Sequence, residues 1–192
     1  GRQVRHMSRL LDDLLDVARF TRGNVRLQKS PVELTRIVKQ AAESARPLME
    51  SAAHTFSVEA PPAPLWVEGD PTRLAQVVAN LLNNAAKYTD PGGTITLAVA
   101  PEGGEAVIRV TDTGVGLDGS MIGRVFDLFA QEDRSLARSQ GGLGIGLTLV
   151  RSLVEMHGGS VSVTSAGKGR GSQFVVRLPA MPGPELGTTS RP

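Results

Sequence analysis

Residues 70–89 show the 3.6-residue spacing of apolar positions that is typical of an amphipathic α-helix. Asp70 is placed as the N-cap and Pro71 lies in the first turn, where its missing N–H costs nothing, so we predict a helix that begins there and ends near Thr89. One side is apolar and carries Leu74, Val77, Val78, Leu81, Leu82 and Ala85. The opposite side carries polar residues at positions i, i+4, i+7 and i+8, namely Asn80, Asn84, Lys87 and Tyr88.

The polar side of this helix has an unusual composition. Asn80, Asn83 and Asn84 lie within five residues of one another, although asparagine side chains compete for backbone hydrogen bonds and disfavour a helix interior. A solvated face is more often built from Glu, Lys, Gln or Ala. Two interpretations therefore stay open for this side, a ligand-binding face and a solvated face.

The remaining pattern predicts a two-layer α/β sandwich in which helices cover one face of a mixed sheet. A capping-box-like start at Ser30, Pro31 and Glu33 predicts a helix to about Ala53, and apolar spacing predicts another helix over 147–157. Strands are predicted at residues 25–28, 55–60, 66–68, 94–99, 106–111, 160–164 and 173–178. Residues 101–104 join two of these strands as a hairpin.

The two ends of the chain differ from the middle. Residues 1–22 predict one long amphipathic helix with a heptad seam at Val4, Met7, Leu11, Leu14 and Ala18. Residues 181–192 are rich in Pro, Gly, Thr and Ser and predict a flexible linker. We therefore divide the chain into this helix, a globular domain over 23–180, and the tail.

Composition limits the classes of function. The chain has 192 residues with 40% hydrophobic content, enough for one core, and no cysteine, which excludes disulfides and thiolate metal sites. The net charge is +2 and the basic residues are spread along the chain, so nucleic acid is not an expected partner. No apolar run approaches the roughly 20 residues of a membrane span, so no membrane segment is expected.

Asp112 is a candidate binding residue because it stands where a predicted strand ends. Gly114 and Gly116 follow it, and residues without side chains allow a ligand to approach the carboxylate closely. An ordinary turn after a strand is the alternative interpretation.

A second glycine-rich segment leads into the helix at 147–157. Gly142, Gly144 and Gly146 expose backbone N–H groups at a helix start, which favours anions. The spacing is not that of the dinucleotide fingerprint, and residues 167–171 lack the ending of a Walker sequence and instead predict a hairpin turn. The charged stretch 117–140 predicts a mobile cover rather than a packed element.

Together these segments resemble the catalytic, ATP-binding part of a sensor histidine kinase, a branch of the Bergerat (GHKL) ATPase superfamily. The resemblance covers residues 1–179. Residues 80–88 are similar to its N box, 112–116 to its G1 box, 126–129 to its F box and 142–147 to its G2 box. All of these motifs occur in the family's order.

The resemblance implies ATP and Mg²⁺ as cofactors and gives each residue a role. Asn84 would bind Mg²⁺ through its amide oxygen, and Asn80 would orient a metal-bound water or share in coordination. Lys87 would meet phosphate and Tyr88 would line the cleft. Asp112 would accept the adenine amine, which favours ATP over GTP because guanine presents a carbonyl there.

Further nucleotide contacts are implied for the glycine motifs and the cover. These residues are Gly114, Gly116, Phe129, Arg134, Arg138, Gly142, Leu143, Gly144, Ile145, Gly146 and Leu147. Leu143 departs from the family pattern, since many relatives carry a hydroxyl residue there. We therefore expect a somewhat weaker hold on the phosphates.

The implied activity is protein-histidine kinase activity in a bacterial two-component system. The helix at 1–22 resembles the second helix of the dimerisation and phosphoacceptor hairpin, whereas the first helix, which carries the acceptor histidine, is missing. His6, His54 and His157 do not replace it and are expected to be structural or exposed. The chain begins with Gly rather than Met, so we expect a piece of a longer protein that binds ATP without phosphorylating itself.

The longer protein is expected to be a homodimer that passes phosphate to a response-regulator receiver domain. A cytoplasmic location is implied, with anchoring upstream of Gly1 left open, and the tail is interpreted as leading to a receiver domain of a hybrid kinase. Two rival functions remain. One is another Bergerat ATPase, although those carry an acidic base where this chain has Asn80. The other is a non-catalytic signalling module that binds partners.

Overall fold

The computed structural model describes residues 26–128, 130 and 144–184. In this part of the chain the helices are α1 (Leu34–Ser51), α2 (Pro71–Tyr88), the short α3 (Gly119–Ile122) and α4 (Gly146–Met156). The strands are β1 (Ser30–Glu33), β2 (Thr55–Glu59), β3 (Trp66–Gly69), β4 (Thr94–Glu102), β5 (Glu105–Asp112), β6 (Ser160–Thr164) and β7 (Ser172–Met181).

The strands form one open, mixed sheet in the order β1-β3-β7-β5-β4-β2, with β6 also paired to β7. β2 runs parallel to β4, whereas the other pairings are antiparallel. β7 pairs with β5 along one edge, and its other edge pairs first with β6 and then with β3. Among the described strands, only β7 joins β1 and β3 to the rest of the sheet.

One face of this sheet is covered by α1, α2 and α4, as the apolar pattern predicts. Alternate residues of the central strands enter the core on that face. The strands contribute Ile95, Leu97, Ile108, Val110, Phe174, Val176 and Leu178, and the helices contribute Leu34, Val38, Leu81, Leu82, Leu149 and Leu153. The predicted two-layer α/β fold is confirmed.

The first strand and helix differ from the prediction. Residues 26–29 form no strand, and Ser30–Glu33, predicted as a helix start, is instead strand β1 paired with β3. Glu33 occupies the N-cap position of α1 but forms no side-chain cap. The N–H of Leu34 donates to the Leu65 carbonyl at 2.7 Å instead, so a tertiary contact replaces the expected capping box.

The segment that follows Gly116 packs against the core at Val125 and Phe126. Val125 and Phe126 are buried, and the Phe126 ring meets Phe174 edge-on with centroids 6.2 Å apart. The prediction of an unpacked cover was therefore wrong at Val125 and Phe126, because these two apolar side chains gain free energy by burial although the surrounding stretch is charged. Residues 131–143 lie outside the described part.

Two of the histidines have structural roles, as predicted. His157, which ends α4, accepts the N–H of Asp70 through Nε2 at 3.0 Å, and its Nδ1 lies 2.7 Å from the Leu153 carbonyl. His54 is buried with Nε2 3.2 Å from the Ala86 carbonyl. Burial lowers the pKa of His157, so the ring is held neutral.

The terminal predictions are largely untested. The helix at 1–22, with His6, lies outside the described residues, as does the tail beyond residue 184. β7 extends through Met181, the first residue of the predicted tail. Within the described ranges, none of the helices combines the length and apolarity that crossing a membrane requires.

Candidate functional site

The polar side of α2 borders the start of α4. Asp70 caps α2 as predicted, since its Oδ1 accepts the N–H groups of Thr72 at 3.0 Å and Arg73 at 3.2 Å. Farther along, a Cβ added to Gly146 would lie 4.0 Å from Cγ of Asn80. The structure thus brings the asparagine face and the glycine-rich helix start together, although they are far apart in sequence.

Asn80 carries an unsatisfied polar atom. Its Nδ2 is buried and forms no hydrogen bond. A buried amide without a partner is costly, so such a group in a native fold calls for an explanation. Asn84 lies one turn farther along α2 and is half-buried, whereas Asn83 is exposed. A polar ligand between α2 and α4 would satisfy the Asn80 amide.

Lys87 and Tyr88 lie exposed at the end of α2. The Lys87 ammonium donates to the Tyr88 hydroxyl at 3.1 Å and lies 4.7 Å from the centre of the Tyr88 ring. The two side chains therefore contact each other in this structure. An exposed cation–π contact of this kind is worth about 0.5–1 kcal/mol, so a phosphate can compete for the ammonium.

Asp112 is a buried carboxylate at the end of β5. Its exposed fraction is 6%. Oδ1 accepts the N–H of Gly114 at 2.8 Å, and Oδ2 accepts the hydroxyl of Ser172 at 2.5 Å. These two donors hold the carboxylate in one orientation. Each oxygen retains a lone pair for a further donor.

Ser172 was missed in the sequence, although a signal was present. The register of β5 and β7 places Ser172 directly opposite Asp112. Pairing the predicted strands 106–111 and 173–178 as neighbours would have placed a hydroxyl beside the carboxylate. The sequence pattern alone paired the second strand only with 160–164.

Residues 112–116, which we call the base loop, pack against the end of α2, and glycine allows this close contact. The N–H of Val115 donates to the Tyr88 carbonyl at 3.0 Å, and a Cβ on Gly114 would lie 2.2 Å from that same oxygen. Gly116 has φ +65° and its hypothetical Cβ would lie 2.1 Å from the Gly167 carbonyl oxygen. Only glycine fits at both positions, so the base loop lies close to its neighbours.

The turn between β6 and β7, residues 165–171, packs against the base loop. The N–H of Gly169 donates to the Val115 carbonyl at 2.7 Å, and that of Gly171 donates to the Gly114 carbonyl at 3.0 Å. This β6–β7 turn confirms the hairpin predicted for 167–171. It also supports the loop that positions Asp112.

The start of α4 offers backbone donors. Gly144 has φ +69°, and Ile145, at the N-cap, is buried and contributes no side-chain cap. The first N–H groups of a helix have no partner within the helix and attract anions. Leu147 packs partly against the core. An anion lying at Gly146 would therefore be next to Asn80.

Several predicted site residues cannot be placed. Phe129, Arg134, Arg138, Gly142 and Leu143 lie outside the described residues. In the described ranges, no group of three or more His, Cys, Asp and Glu converges as a metal site.

Comparison with known proteins shows what the chain is similar to. The family described as "Histidine kinase-, DNA gyrase B-, and HSP90-like ATPase" matches residues 69–182. The circadian input-output histidine kinase CikA of Synechococcus elongatus is 38% identical over 182 residues, covering 91% of this chain and 23% of that protein. The probable sensor histidine kinase TcrY of Mycobacterium tuberculosis is 35% identical, covering 92% of this chain and 36% of that protein.

Solved structures agree with these relatives. Full-length ShkA in complex with AMPPNP superimposes with a TM-score of 0.78 at 29% identity, covering 91% of this chain and 36% of that one. The mycobacterial sensor histidine kinase MprB superimposes with a TM-score of 0.68 at 30% identity, covering 80% of this chain and 99% of that one. The matched part of this chain thus spans only 23% and 36% of the two curated relatives, whereas it covers 99% of the solved MprB chain.

Proposed function

The chain belongs to the histidine kinase-, DNA gyrase B- and HSP90-like ATPase family, as an ATP-binding catalytic domain of the sensor histidine kinase type, and we propose that it binds Mg²⁺–ATP for phosphoryl transfer to a histidine side chain. The observation that carries this proposal is the oriented Asp112 carboxylate beside a glycine loop. The non-catalytic module remains the alternative that the experiment below separates.

Asp112 is the residue that reads the base in this proposal. Its two hydrogen-bond donors, Gly114 and Ser172, fix the carboxylate so that its free lone pairs can accept the exocyclic amine of adenine. Guanine would place a carbonyl oxygen at that edge, and two acceptors repel each other. Gly114 and Gly116 let the base loop pack directly against the Tyr88 and Gly167 carbonyls, which supports a fixed position for the loop that carries Asp112.

Asn84 would hold Mg²⁺ through its amide oxygen, and Asn80 would orient a metal-bound water or share in coordination. Amide oxygens suit this ion, which keeps several waters and binds triphosphate oxygens. The buried, unpartnered Nδ2 of Asn80 is a hydrogen-bond donor, so it supports a ligand with an acceptor oxygen here, such as phosphate or a metal-bound water. Bound Mg²⁺ supplies charge neutralisation on the phosphates.

The phosphates would lie between α2 and α4. Gly146 borders Asn80, so the first N–H groups of α4 and the amide can bind the same anion. Lys87 would exchange its contact with Tyr88 for phosphate. Phosphoryl transfer is mostly positioning and charge stabilisation, which these groups can provide without covalent chemistry of their own. The placement of Phe129, Arg134 and Arg138 near the phosphates stays a prediction.

The acceptor and the partners belong to the longer protein. We propose that the helix at 1–22 is part of a dimerisation hairpin and that the protein acts as a homodimer. The acceptor histidine would lie on the missing helix, from which phosphate would pass to a response-regulator aspartate. A hybrid arrangement, with a receiver domain after the tail, is a further proposal. A cytoplasmic location of this domain is also proposed.

Calorimetric titration with ATP, ADP and GTP, with and without Mg²⁺, tests the proposed site. We expect Asp112→Asn to weaken ATP binding by about 10- to 100-fold, as expected for a charged hydrogen bond worth about 1.5–3 kcal/mol, and to reduce the preference over GTP. Asn84→Ala should abolish the Mg²⁺ dependence. Asn83→Ala is the matched control, because Asn83 is exposed on the same helix.

The result separates the two candidate functions. Retention of full ATP affinity and selectivity by Asp112→Asn would show that this carboxylate does not read the base. No nucleotide binding by the unmodified chain would contradict the ATP site and favour a signalling module that binds partners.

A further inference from the structure

Ser165 follows β6 and begins the β6–β7 turn, where its hydroxyl forms three hydrogen bonds. The oxygen accepts the N–H of Leu117 at 3.0 Å and that of Gly167 at 3.2 Å. The hydroxyl donates to the Gly171 carbonyl at 2.6 Å, with the Gly167 carbonyl farther away at 3.3 Å. A hydroxyl has one proton to donate and two lone pairs, so its full capacity is used.

These three bonds connect both sides of the base loop. Leu117 comes directly after Gly116, where the base loop ends. Gly171 comes directly before Ser172, the residue that donates to Asp112, and a Cβ on Gly171 would lie 2.0 Å from the Asp112 carbonyl oxygen. A single side chain therefore links the exit of the base loop to the strand that orients its carboxylate.

The segments joined in this way contain glycines in the left-handed backbone conformation. Gly116, Gly169 and Gly171 all have φ between +65° and +72°, a conformation that glycine adopts readily and that costs backbone entropy to hold. Two backbone bonds, from Gly169 to Val115 and from Gly171 to Gly114, also cross between the segments. Besides the Ser172 hydroxyl, which bonds to the Asp112 carboxylate, the Ser165 hydroxyl is a side-chain link between these segments, and a substitution can remove it without touching Asp112 or its donor.

We propose that Ser165 is a positioning residue for nucleotide recognition, holding the base loop in the conformation in which Asp112 faces the adenine. This inference rests on the proposed ATP-binding function. Ser165 itself does not touch the base. Without the Ser165 hydroxyl the base loop occupies additional conformations. The apparent dissociation constant for nucleotide then rises in inverse proportion to the fraction of molecules whose base loop can still bind it.

Substitution of Ser165 should weaken recognition of the base and leave the contacts to the phosphates unchanged. We expect Ser165→Ala to weaken binding of ATP and ADP by the same factor, about tenfold, because a neutral hydrogen-bond network of this size controls roughly that population. The preference for ATP over GTP should shrink, since Asp112 is less well oriented. A loss of fold stability alone would leave this preference unchanged among the folded molecules.

The experiment compares Ser165→Ala, Ser165→Thr and Ser162→Ala by calorimetry and by urea unfolding under the same conditions. Thr keeps the hydroxyl and should retain most of the affinity. Ser162 is an exposed serine of β6, three residues before Ser165, so its removal is the matched control and should leave binding unchanged. If Ser165→Ala does not fold cooperatively, Ser165→Cys under reducing conditions replaces it, because a thiol is only a weak donor and acceptor.

The possible results distinguish the role of Ser165 from the proposed ATP-binding function. Normal ATP binding by the unmodified chain together with unchanged affinity and selectivity in Ser165→Ala would overturn the role of Ser165 and leave the ATP site intact. A loss that Ser165→Thr does not rescue would also overturn it. Failure of the unmodified chain to bind any nucleotide would overturn the proposed function, and this inference with it.

Discussion

Alanine substitutions at Gly116 and Gly169 measure how much the close packing of the base loop contributes to the free energy of unfolding. Both residues have positive φ, +65° and +72°. A Cβ on Gly116 would lie 2.1 Å from the Gly167 carbonyl oxygen, whereas a Cβ on Gly169 would meet nothing within 4 Å. Both substitutions, Gly116→Ala and Gly169→Ala, therefore place an alanine in the left-handed conformation. Only Gly116→Ala also brings the new Cβ into a steric clash with the Gly167 carbonyl.

The magnitudes follow from these contacts. An alanine in the left-handed conformation costs about 1 kcal/mol, so Gly169→Ala should lower the free energy of unfolding by about that amount. At Gly116 the backbone segments must also separate by about 1 Å, which weakens the flanking bonds to the Val115 and Gly114 carbonyls. Each such bond contributes about 1 kcal/mol, so Gly116→Ala should cost about 3 kcal/mol in total.

Urea unfolding at 25 °C measures both free energies, and ATP titration measures the effect on the site. We expect Gly169→Ala to bind ATP within about twofold of the unmodified chain, and Gly116→Ala to bind at least about tenfold more weakly because the base loop is displaced. Equal unfolding free energies for the two variants, within about 0.5 kcal/mol, would refute the packing argument. ATP binding that survives unchanged in Gly116→Ala would refute the link to the site.

Two further predictions concern the junction between α2 and α4. Asp70→Ala removes the cap of α2 and should lower the free energy of unfolding by about 1 kcal/mol in urea, whereas the exposed Glu68→Ala should have little effect; equal losses would contradict the capping role. Burial lowers the pKa of His157 below its unfolded value of about 6.5, so the unfolded chain binds more protons in acid. The free energy of unfolding should fall as pH drops below about 6.5, by at most about 1.4 kcal/mol per unit for this group, until the folded ring also titrates. The free energy of unfolding should change less with pH in His157→Gln than in the unmodified chain. The same pH dependence in both proteins would exclude this histidine as the cause.

The sequence predicted the elements in which periodicity and burial agree. The helix over 70–89 and the strands around residues 94–111 were placed correctly, because their apolar spacing reports directly on the core. Ser30, Pro31 and Glu33 gave a local signal for a helix start, yet they form β1 because Val32 and its neighbours pair with β3. That pairing joins segments more than thirty residues apart, which a capping motif does not report.

Part of the candidate site was predictable for the same reason. The positions of Asn80, Asn84 and Asp112 follow from one helix face and one strand end. Ser172 and Ser165 act through hydrogen bonds that depend on strand register and turn packing, so no local pattern marks them. Phe126 was placed in a mobile cover because the stretch 117–140 as a whole is charged and lacks apolar periodicity, although the Phe126 ring packs against Phe174.

The central position of β7 has a consequence for synthesis of the protein on the ribosome. Among the described strands, the β1–β3 pair, β6 and the β5-β4-β2 group are joined in the sheet only through β7. These groups therefore cannot pair into one sheet before β7 has emerged. Until then the growing chain exposes the unpaired edge of β5, an edge to which other chains can add. The sheet of this domain is therefore completed only after its last described strand has been synthesised, and the nascent domain needs protection from aggregation until then.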